Sequence, residues 1–397
     1  MVEVGEAIEK ILAHATPLGT ETVELTRARG RFLARDITAD ADLPGLPRSS
    51  VDGYAVIAGD ESTQFDVLEE VTAGRLGSAP VRPGSAVRIM TGGTLPAGAD
   101  AVVMVEDVEE TNGQAVLQRR PRKGENVHPP GMDLASGQFV LARGTRIGAA
   151  EVGLLATVGC SNVPVSTKPR VSVLATGDEV VEPHEAPPPG SVRDSNRYAL
   201  MAAVEEAGGE IVWHAHARDD EGELERGMRE GLARADVLLT SGGVSMGTRD
   251  LIKPLLDKMS TIHFGRVSFK PGKPLTFATT SDGKLAFGLP GFPVSSLVTF
   301  EVFVRPALLR LGGAERVLRP RVEAALAHEV RPDPLRLEYQ RATLTWDDHQ
   351  FVARTTGLQS SSRLLSIVGA NALLELQPGD QVLPRGAIVP ALLLANL

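Results

Sequence analysis

The chain has 397 residues, more than one hydrophobic core usually serves, so its length favours roughly two to four domains. Hydrophobic residues at 42% and charged residues at 23% are typical of a soluble globular protein and exclude a disordered or fibrous chain. The formal net charge of -9 argues against nucleic acid and anionic membranes as partners, because both require a basic face.

Cysteine usage and the N-terminal sequence indicate where the protein works. Cys160 is the only cysteine, which rules out an internal disulfide or a thiolate metal cluster and indicates a reducing compartment. Glutamates interrupt the apolar pattern of residues 1–12, unlike a signal peptide, and no apolar run is long enough to span a bilayer. We therefore expect a cytoplasmic protein that makes no use of a membrane.

The first part of the chain combines helical and strand patterns. Apolar residues recur at helical spacing in residues 4–13 and again in residues 147–158. Short strand patterns broken by glycine and proline lie between them, at residues 67–71, 86–90, 101–105 and 115–118. The sequence therefore predicts a discontinuous helical domain over residues 1–41 and 137–168, interrupted by a β-rich insertion domain over residues 42–136.

After residue 168 the pattern changes to strands that alternate with helices. Apolar runs suited to buried parallel strands occur at residues 171–175, 237–239 and 285–288. The last run leads into a helix predicted over residues 294–311. This alternation predicts a doubly wound, parallel-sheet α/β domain over residues 169–316. Strand-like alternation then predicts a small, β-barrel-like C-terminal domain over residues 317–397, so the fold class is α/β multidomain.

The motif TSGGVSMGTRD, residues 240–250, follows a predicted buried strand and precedes a helix. In open α/β sheets, ligands bind at this position, where glycines let backbone N–H groups approach an anion. The candidate substrate-binding residues are Ser241, Gly242, Gly243 and Ser245. Asp250 is a candidate ligand for Mg²⁺, which prefers carboxylate oxygens and water. The alternative is a tight turn in which Asp250 caps the helix.

The motif FKPGKP, residues 269–274, places two lysines in a loop stiffened by prolines. A rigid loop loses less entropy when Lys270 and Lys273 converge on an anion, and Pro274 helps to hold that geometry. In a net-acidic chain these lysines reverse the local charge and attract an anionic substrate. The alternative is a solvated basic turn.

Two further motifs follow predicted strands of the same sheet. GLPGFPVSS, residues 288–296, offers Gly291 for close approach and Ser295 as a donor near a helix N-terminus, although proline in the first turn explains the helix start equally well. ATGDEVVE adds the carboxylates of Asp178 and Glu179, which alone are typical of a solvated loop. Together these junctions predict an anion-binding site at the carboxyl edge of the sheet.

The β-rich insertion contains three weaker candidates. Asp52 lies in SSVDGYA, Thr91 begins TGGTLPAGAD, and Asp133 ends GENVHPPGMD. Each segment taken alone is an ordinary turn.

These motifs occur in the order found in a known family. They are SSVDGYA, TGGTLPAGADAVV, GEN followed by Asp133, ATGDEV, SGGVSMGTRD, KPGKP and GLPGFPVSS. The sequence resembles the molybdopterin molybdotransferases of the bacterial MoeA type and the gephyrin E-domain type. The resemblance spans nearly the whole chain. It implies four domains, with the α/β domain of molybdopterin-binding type, and a homodimer in which the insertion domain of one subunit faces the α/β domain of the other.

The resemblance also implies a reaction and a set of site residues. Adenylylated molybdopterin and molybdate are the implied substrates, molybdenum is inserted at the dithiolene, AMP is released, and Mg²⁺ assists. The implied catalytic residues are Asp52, Thr91, Asp133, Glu179 and Asp250, and the implied metal ligands are Glu179, Asp219, Asp220 and Asp250. The implied substrate-binding residues are Ser241, Gly242, Gly243, Ser245, Lys270, Lys273, Pro274, Gly291 and Ser295. The pterin adenylyltransferase and molybdoenzyme acceptors are further implied partners.

Two departures and two rival interpretations accompany the resemblance. His128-Pro129-Pro130 stands where the family usually has arginines, and Phe292 stands where it has asparagine, so phosphate contacts or the pocket are altered there. One rival is a pterin adenylyltransferase, against which the additional domains argue. The other is a scaffold module, for which no dedicated segment is visible. Molybdate and tungstate are not distinguished, because both are tetrahedral dianions.

Overall fold

A computed structural model of the chain describes residues 1–243 and 251–394. Its α-helices are α1 (Val4–His14), α2 (Ala149–Thr157), α3 (Asn196–Glu206), α4 (Glu221–Arg234), α5 (Ile252–Met259), α6 (Pro293–Thr299) and α7 (Arg305–Leu311). None of the helices in these residues has the length and apolar character needed to cross a bilayer.

The strands of the first 168 residues are β1 (Thr20–Glu24), β2 (Ile37–Thr38), β3 (Arg48–Ser49), β4 (Gly53–Val56), β5 (Phe65–Val71), β6 (Ser85–Ile89), β7 (Ala101–Met104), β8 (Val108–Thr111), β9 (Gln114–Leu117), β10 (Val127–His128), β11 (Phe139–Leu141) and β12 (Asn162–Ser166). Those that follow are β13 (Arg170–Thr176), β14 (Val180–Val181), β15 (Val192–Arg193), β16 (Glu210–Ala217), β17 (Val237–Ser241), β18 (Thr261–Phe264), β19 (Phe269–Lys270), β20 (Thr276–Thr279) and β21 (Leu285–Leu289). The last are β22 (Arg321–Leu326), β23 (Leu337–Trp346), β24 (Phe351–Thr355), β25 (Ala372–Leu376) and β26 (Ile388–Leu393).

The chain forms two compact units. The β-rich unit comprises residues 35–143 and 149–161, and the larger unit comprises residues 1–34, 144–148 and 162–397. Within the larger unit, β1 pairs with β12 in antiparallel register, so segments on either side of the insertion return to each other. The four-domain boundaries derived from the sequence stay a prediction.

The β-rich unit contains a six-stranded sheet in the order β7-β4-β6-β5-β9-β8. Glycines with positive φ lie in the turns after β5, β6 and β8, at Gly74, Gly92 and Gly113, and every residue of β4 is buried. The strands predicted at residues 67–71, 86–90, 101–105 and 115–118 match β5, β6, β7 and β9 to within two residues at each end. The predicted β-rich insertion is therefore confirmed.

The doubly wound sheet of the larger unit has the order β16-β13-β17-β21-β20-β18. Strands β16, β13, β17 and β21 are parallel, while β20 runs antiparallel to both of its neighbours. Leu238 packs into one apolar cluster and Leu239 into another, because successive side chains point to opposite faces of the sheet. This two-sided burial explains the continuous apolar run of β17 and confirms the doubly wound prediction.

The C-terminal strands close into a five-stranded barrel through the pairs β23–β24, β24–β22, β22–β26, β26–β25 and β25–β23. The predicted barrel-like domain is thus confirmed. Strand β19, expected as part of a loop, instead pairs in parallel with β23. The Phe269 ring is fully buried and packs edge-on against Phe303 at a centroid distance of 5.1 Å, which holds β19 in place.

The helix expected over residues 294–311 has a different form. A π-helical turn at Phe300–Val304 separates α6 from α7. Such turns occur frequently at functional sites. Periodicity alone did not predict it, because apolar residues continue through the turn.

Candidate active site

Three of the predicted loops lie at one edge of the doubly wound sheet. Strands β13, β17 and β21 are parallel neighbours, with Ala175 opposite Ser241 and Ser241 opposite Leu289. Their carboxyl ends therefore emerge side by side. The Gly242 N–H donates to the Leu289 carbonyl at 3.2 Å, which joins two of the loops directly.

Local packing explains the glycines after β17. Gly242 has φ +98°, and a Cβ there would lie 2.8 Å from the Thr176 carbonyl oxygen. Gly243 has φ +66°, and its Cβ would lie 2.8 Å from the Ile252 side chain. The backbone can make this tight turn only without side chains at both positions. Ser245 and Asp250, the remaining candidates of this motif, lie outside the described residues.

Asn196 joins two of these loops and was not among the predicted residues. Its side-chain Nδ2 donates to Ser241 Oγ at 2.8 Å and to the Gly291 carbonyl at 2.7 Å. The nearest approach of a Cβ built at Gly291 would be 3.6 Å, to the Gly242 Cα. The only sequence signal was a polar residue at the first position of a helix in this α/β domain. Asn196 thus sets the spacing between the loop after β17, which bears Ser241, and the loop after β21, which bears Gly291.

The start of α6 combines buried hydroxyls with an exposed ring. Ser295 and Ser296 are 5% and 1% exposed, and Ser296 Oγ and Thr299 Oγ1 have no hydrogen-bond partner among the described residues. Pro293 takes the first helical turn, where its missing N–H costs nothing. Phe292 directly precedes it and is 61% exposed. The departure from the family motif therefore places an aromatic ring on the surface rather than in a repacked core.

The lysine loop contacts both α6 and the barrel. A Cβ built at Gly272, whose φ is +122°, would lie 2.3 Å from Thr299 Oγ1, so the loop lies directly on α6. Lys270 Nζ lies 3.0 Å from Glu338 Oε1 and 3.6 Å from Asp333 Oδ2. Neither carboxylate had been predicted, because they lie far along the chain in a different domain.

Hydrogen bonds keep the Asp333 carboxylate charged. Burial alone raises the pKa of Asp333, but N–H donors from Leu335 and Arg336 and the nearby Lys270 ammonium outweigh it, so the pKa falls below its ordinary value. Lys273 and Pro274 are half-buried in the same loop, and the Lys273 carbonyl accepts from the Val267 N–H at 3.1 Å. The lysine loop is therefore anchored at both ends.

Two of the predicted acidic loops meet beyond the sheet edge. Asp178 Oδ1 accepts a hydrogen bond from the Asp219 backbone N–H at 3.1 Å. Asp220 caps α4 by accepting from the Glu223 N–H at 2.9 Å, which occupies one of its carboxylate oxygens. Asp220 therefore has a structural role beside the predicted one.

The predicted metal ligands are partly described. Glu179 is exposed in the loop after β13, and Asp250 lies outside the described residues. Within residues 1–243 and 251–394, no group of three or more histidine, cysteine or carboxylate side chains is arranged to hold a metal ion. The ligand assignment stays a prediction.

In the β-rich unit the structure brings Asp52 and Thr91 together. Asp52 Oδ1 accepts from the Thr91 backbone N–H at 2.7 Å and from its hydroxyl at 2.8 Å. These two donors lower the pKa of the Asp52 carboxyl. Asp133 is exposed in another loop, where its backbone N–H donates to the Leu43 carbonyl at 2.9 Å. The roles of all three residues stay predictions.

The larger unit has the features of an oxyanion-binding α/β protein. Glycine turns and hydroxyls lie at the carboxyl ends of parallel strands, and the lysine loop leads into β20, whose first residue, Thr276, lies opposite Gly288 near the carboxyl end of β21. N–H groups and positive charge at such an edge favour a bound anion. Comparison with known proteins identifies the family within this class to which the chain is similar. Residues 2–159 match the MoeA N-terminal region (domain I and II), residues 172–310 a probable molybdopterin binding domain, and residues 323–394 the MoeA C-terminal region (domain IV). The chain belongs to the MoeA family.

Individual relatives agree with this assignment. The molybdopterin molybdenumtransferase of Bacillus subtilis is 34% identical over 406 residues, covering 99% of this chain and 94% of the relative. Gephyrin of Dictyostelium discoideum is 37% identical over the full chain, but the chain spans only 63% of gephyrin. The crystal structure of a molybdopterin biosynthesis MoeA protein from Pyrococcus horikoshii superposes with a TM-score of 0.86 at 32% identity, and each chain is covered completely.

Proposed function

We propose that the protein is a molybdopterin molybdenumtransferase, which inserts molybdenum from molybdate at the dithiolene of adenylylated molybdopterin and releases AMP. One observation carries the proposal. Three loops lie at one edge of the doubly wound sheet, and a fourth loop, which bears Lys270 and Lys273, packs against α6. Molybdate is a dianion and the pterin substrate contains a phosphoanhydride, so both need N–H, hydroxyl and ammonium donors. The relatives named for this activity share about a third of their residues with the chain.

The described residues divide these tasks by chemistry. Lys270 and Lys273 supply positive charge for the incoming oxyanion. The Gly242 N–H donates to Leu289, and the positive φ of Gly242 turns the chain so that the Gly243 N–H can approach the phosphates. Asn196 orients the loop that bears Gly291. Phosphoanhydride cleavage depends mainly on such positioning and charge neutralisation. With a single cysteine, the protein is a poor source of sulfur, so the dithiolene arrives with the substrate.

Mg²⁺ fits the donors of this edge. Mg²⁺ accepts one or two carboxylates, waters and substrate phosphates, and does not require a complete protein cage. Glu179 and Asp219 would hold it together with Asp250, whereas Asp220 is partly committed to capping α4. When bound, the ion would neutralise charge that develops on the phosphoanhydride.

We further propose that the active form is a cytoplasmic homodimer in which Asp52, Thr91 and Asp133 of one subunit serve the anion site of the other. Co-expression of Asp52→Ala with Lys270→Ala tests this arrangement. Random pairing should restore about a quarter of wild-type activity, because half the dimers are mixed and each has one intact site. Activity that stays at the level of the single variants would exclude shared sites.

The reaction itself is tested with purified protein, adenylylated molybdopterin, Mg²⁺ and molybdate. We expect release of AMP together with molybdenum bound to the pterin, and little AMP when molybdate is omitted. Formation of adenylylated pterin from ATP would instead favour an adenylyltransferase. Parallel assays with tungstate measure the choice of oxyanion. The pterin adenylyltransferase and molybdoenzyme acceptors are the partners we expect to deliver the substrate and receive the product.

A further inference from the structure

The barrel carries the strand from which the lysine loop begins. Strand β19 pairs in parallel with β23, with Phe269 opposite Leu337 and Lys270 opposite Glu338. The position of Lys270 is therefore set by the barrel as well as by the doubly wound domain. No role in binding had been predicted for barrel residues.

Two carboxylates of the barrel region hold the Lys270 ammonium. Glu338 Oε1 lies 3.0 Å from Nζ, and Asp333 Oδ2 lies 3.6 Å away. The Glu338 and Asp333 side chains are only 3% and 10% exposed, whereas that of Lys270 is 38% exposed. The carboxylates thus lie on the buried side of the ammonium, and the accessible side remains open to solvent.

Both carboxylates are themselves fixed. Glu338 Oε2 accepts from Gln340 Nε2 at 3.1 Å. Asp333 Oδ1 accepts from the backbone N–H groups of Leu335 and Arg336, each at 3.0 Å, and Oδ2 accepts from the Arg336 guanidinium at 3.0 Å. Neither side chain can turn toward a ligand without breaking these bonds.

This arrangement restrains a side chain that is otherwise flexible. A lysine on the surface loses substantial rotamer entropy when it binds an anion. Lys270 already occupies one orientation, and its ammonium has three N–H donors, of which the two carboxylates use at most two. The Arg336 guanidinium neutralises Asp333, so Glu338 is the one uncompensated carboxylate beside the ammonium. An oxyanion at the accessible side would lie closer to the ammonium than to Glu338, so attraction exceeds repulsion.

We infer that Glu338, assisted by Asp333, is a positioning residue that preorganises Lys270 for oxyanion binding. This inference rests on the proposed function, and it assigns the C-terminal barrel a direct share in that site. The purely structural alternative is that the carboxylates and Lys270 only neutralise one another within the fold. The two possibilities differ in which measured quantity changes when Glu338 loses its charge.

The experiment compares Glu338→Gln with Glu375→Gln in the full-length protein. Glu375 is a matched control, because it is also a buried carboxylate of the barrel, is paired with Arg321, and lies opposite Tyr339 rather than Lys270. We expect Glu338→Gln to raise the Kd for molybdate, measured by calorimetry without pterin, on the order of tenfold. The KM for molybdate should rise equally, while the KM for adenylylated pterin changes less than about twofold.

A double-mutant cycle identifies the path of the effect. If Glu338 acts through Lys270, Glu338→Gln should cause no further loss of molybdate affinity in a Lys270→Met background. Glu338→Asp keeps the charge and should bind molybdate more tightly than Glu338→Gln. If Glu338→Gln does not fold, Glu338→Asp and Asp333→Asn carry the same comparison.

The outcomes separate this inference from the proposed function. Absence of molybdate binding by the wild-type protein would overturn the oxyanion assignment itself. Binding by the wild type together with unchanged or tighter binding by Glu338→Gln would overturn the positioning role alone. An equal loss in Glu375→Gln would show that the effect is a general weakening of the barrel.

Discussion

The sheet edge and the β-rich unit hold their candidate residues in opposite ways. At the sheet edge, Ser241 is 2% exposed, and Gly242 lies directly against the Thr176 backbone. In the β-rich unit, Asp52 and Thr91 are exposed and are held mainly by each other. Close-packed interiors transmit small changes, whereas exposed positions tolerate them. We therefore expect substitutions at the sheet edge to lower stability and activity together, and those in the exposed turns to lower activity alone.

Gly242→Ala should produce the largest effect. The new Cβ would lie 2.8 Å from the Thr176 carbonyl oxygen at a φ of +98°, so both strain and a backbone clash oppose folding. We expect the free energy of unfolding to fall by about 3 kcal/mol and activity to be lost. Gly283→Ala is the control, since Gly283 has φ +82° and its Cβ would meet no atom within 4 Å. Equal losses in denaturant titrations of both variants would contradict the packing argument.

Asn196→Asp tests the contact between two edge loops. A carboxylate cannot donate to Ser241 Oγ or to the Gly291 carbonyl, and it places negative charge beside the carbonyl oxygen. We expect a loss of about 1–2 kcal/mol in stability and a larger than tenfold fall in kcat/KM. Asn196→Ala separates the causes, because it removes the hydrogen bonds without adding charge. Full activity in both variants would exclude Asn196 from the site.

Features with a local cause were predictable from the sequence. The apolar run of β17 follows from burial on both sheet faces, and glycines after β17 follow from the tight turn there. The sequence also placed the barrel at the C-terminus, because its strands alternate in polarity. In each case the structure depends on contacts among residues close together in the chain, or on a residue pattern that repeats with a simple period.

Features that depend on distant contacts were not predictable. Glu338 becomes a partner of Lys270 only when β19 joins β23, which no local pattern of FKPGKP indicates. The pairing of Asp52 with Thr91 needs two separate turns to meet, and only the family resemblance indicates both residues. Long-range pairing therefore limits what residue patterns reveal about a site.

Thr91→Val should affect function without affecting the fold. It removes the hydroxyl donor to Asp52 but keeps the backbone N–H, so the pKa of Asp52 should rise partway toward its ordinary value. Folding lowers the pKa of Asp52. The hydrogen bonds to its carboxylate are therefore fully present above the pKa of the unfolded state, and they are lost as the pH falls through the lower pKa of the folded state. We expect about a fivefold lower kcat/KM and an acid limb of the pH profile displaced to higher pH. Carboxyl-carbon NMR titration measures the pKa directly, and an unchanged value would refute the account.

Phe292→Ala tests whether exposure or position along the chain decides the effect of a substitution. Phe292 lies in the loop after β21, at the sheet edge, but is 61% exposed. Exposure predicts a change in stability below about 0.5 kcal/mol, unlike its buried neighbours. A solvent-facing ring beside the proposed substrate site can stack on a planar heterocycle, and such stacking is worth about 1–3 kcal/mol per base when complete. We expect the KM for adenylylated pterin to rise about threefold and the KM for molybdate to stay constant.

Phe292→Leu controls for apolar character, since leucine offers no aromatic face, and it should resemble Phe292→Ala. If leucine restores the KM, apolar contact rather than stacking is responsible. A stability loss above about 1 kcal/mol would mean that the ring packs against the protein after all. In that case the exposed fraction of a side chain would not predict which residues of the sheet edge tolerate substitution. The difference between the sheet edge and the β-rich unit would then depend on the local packing of each residue.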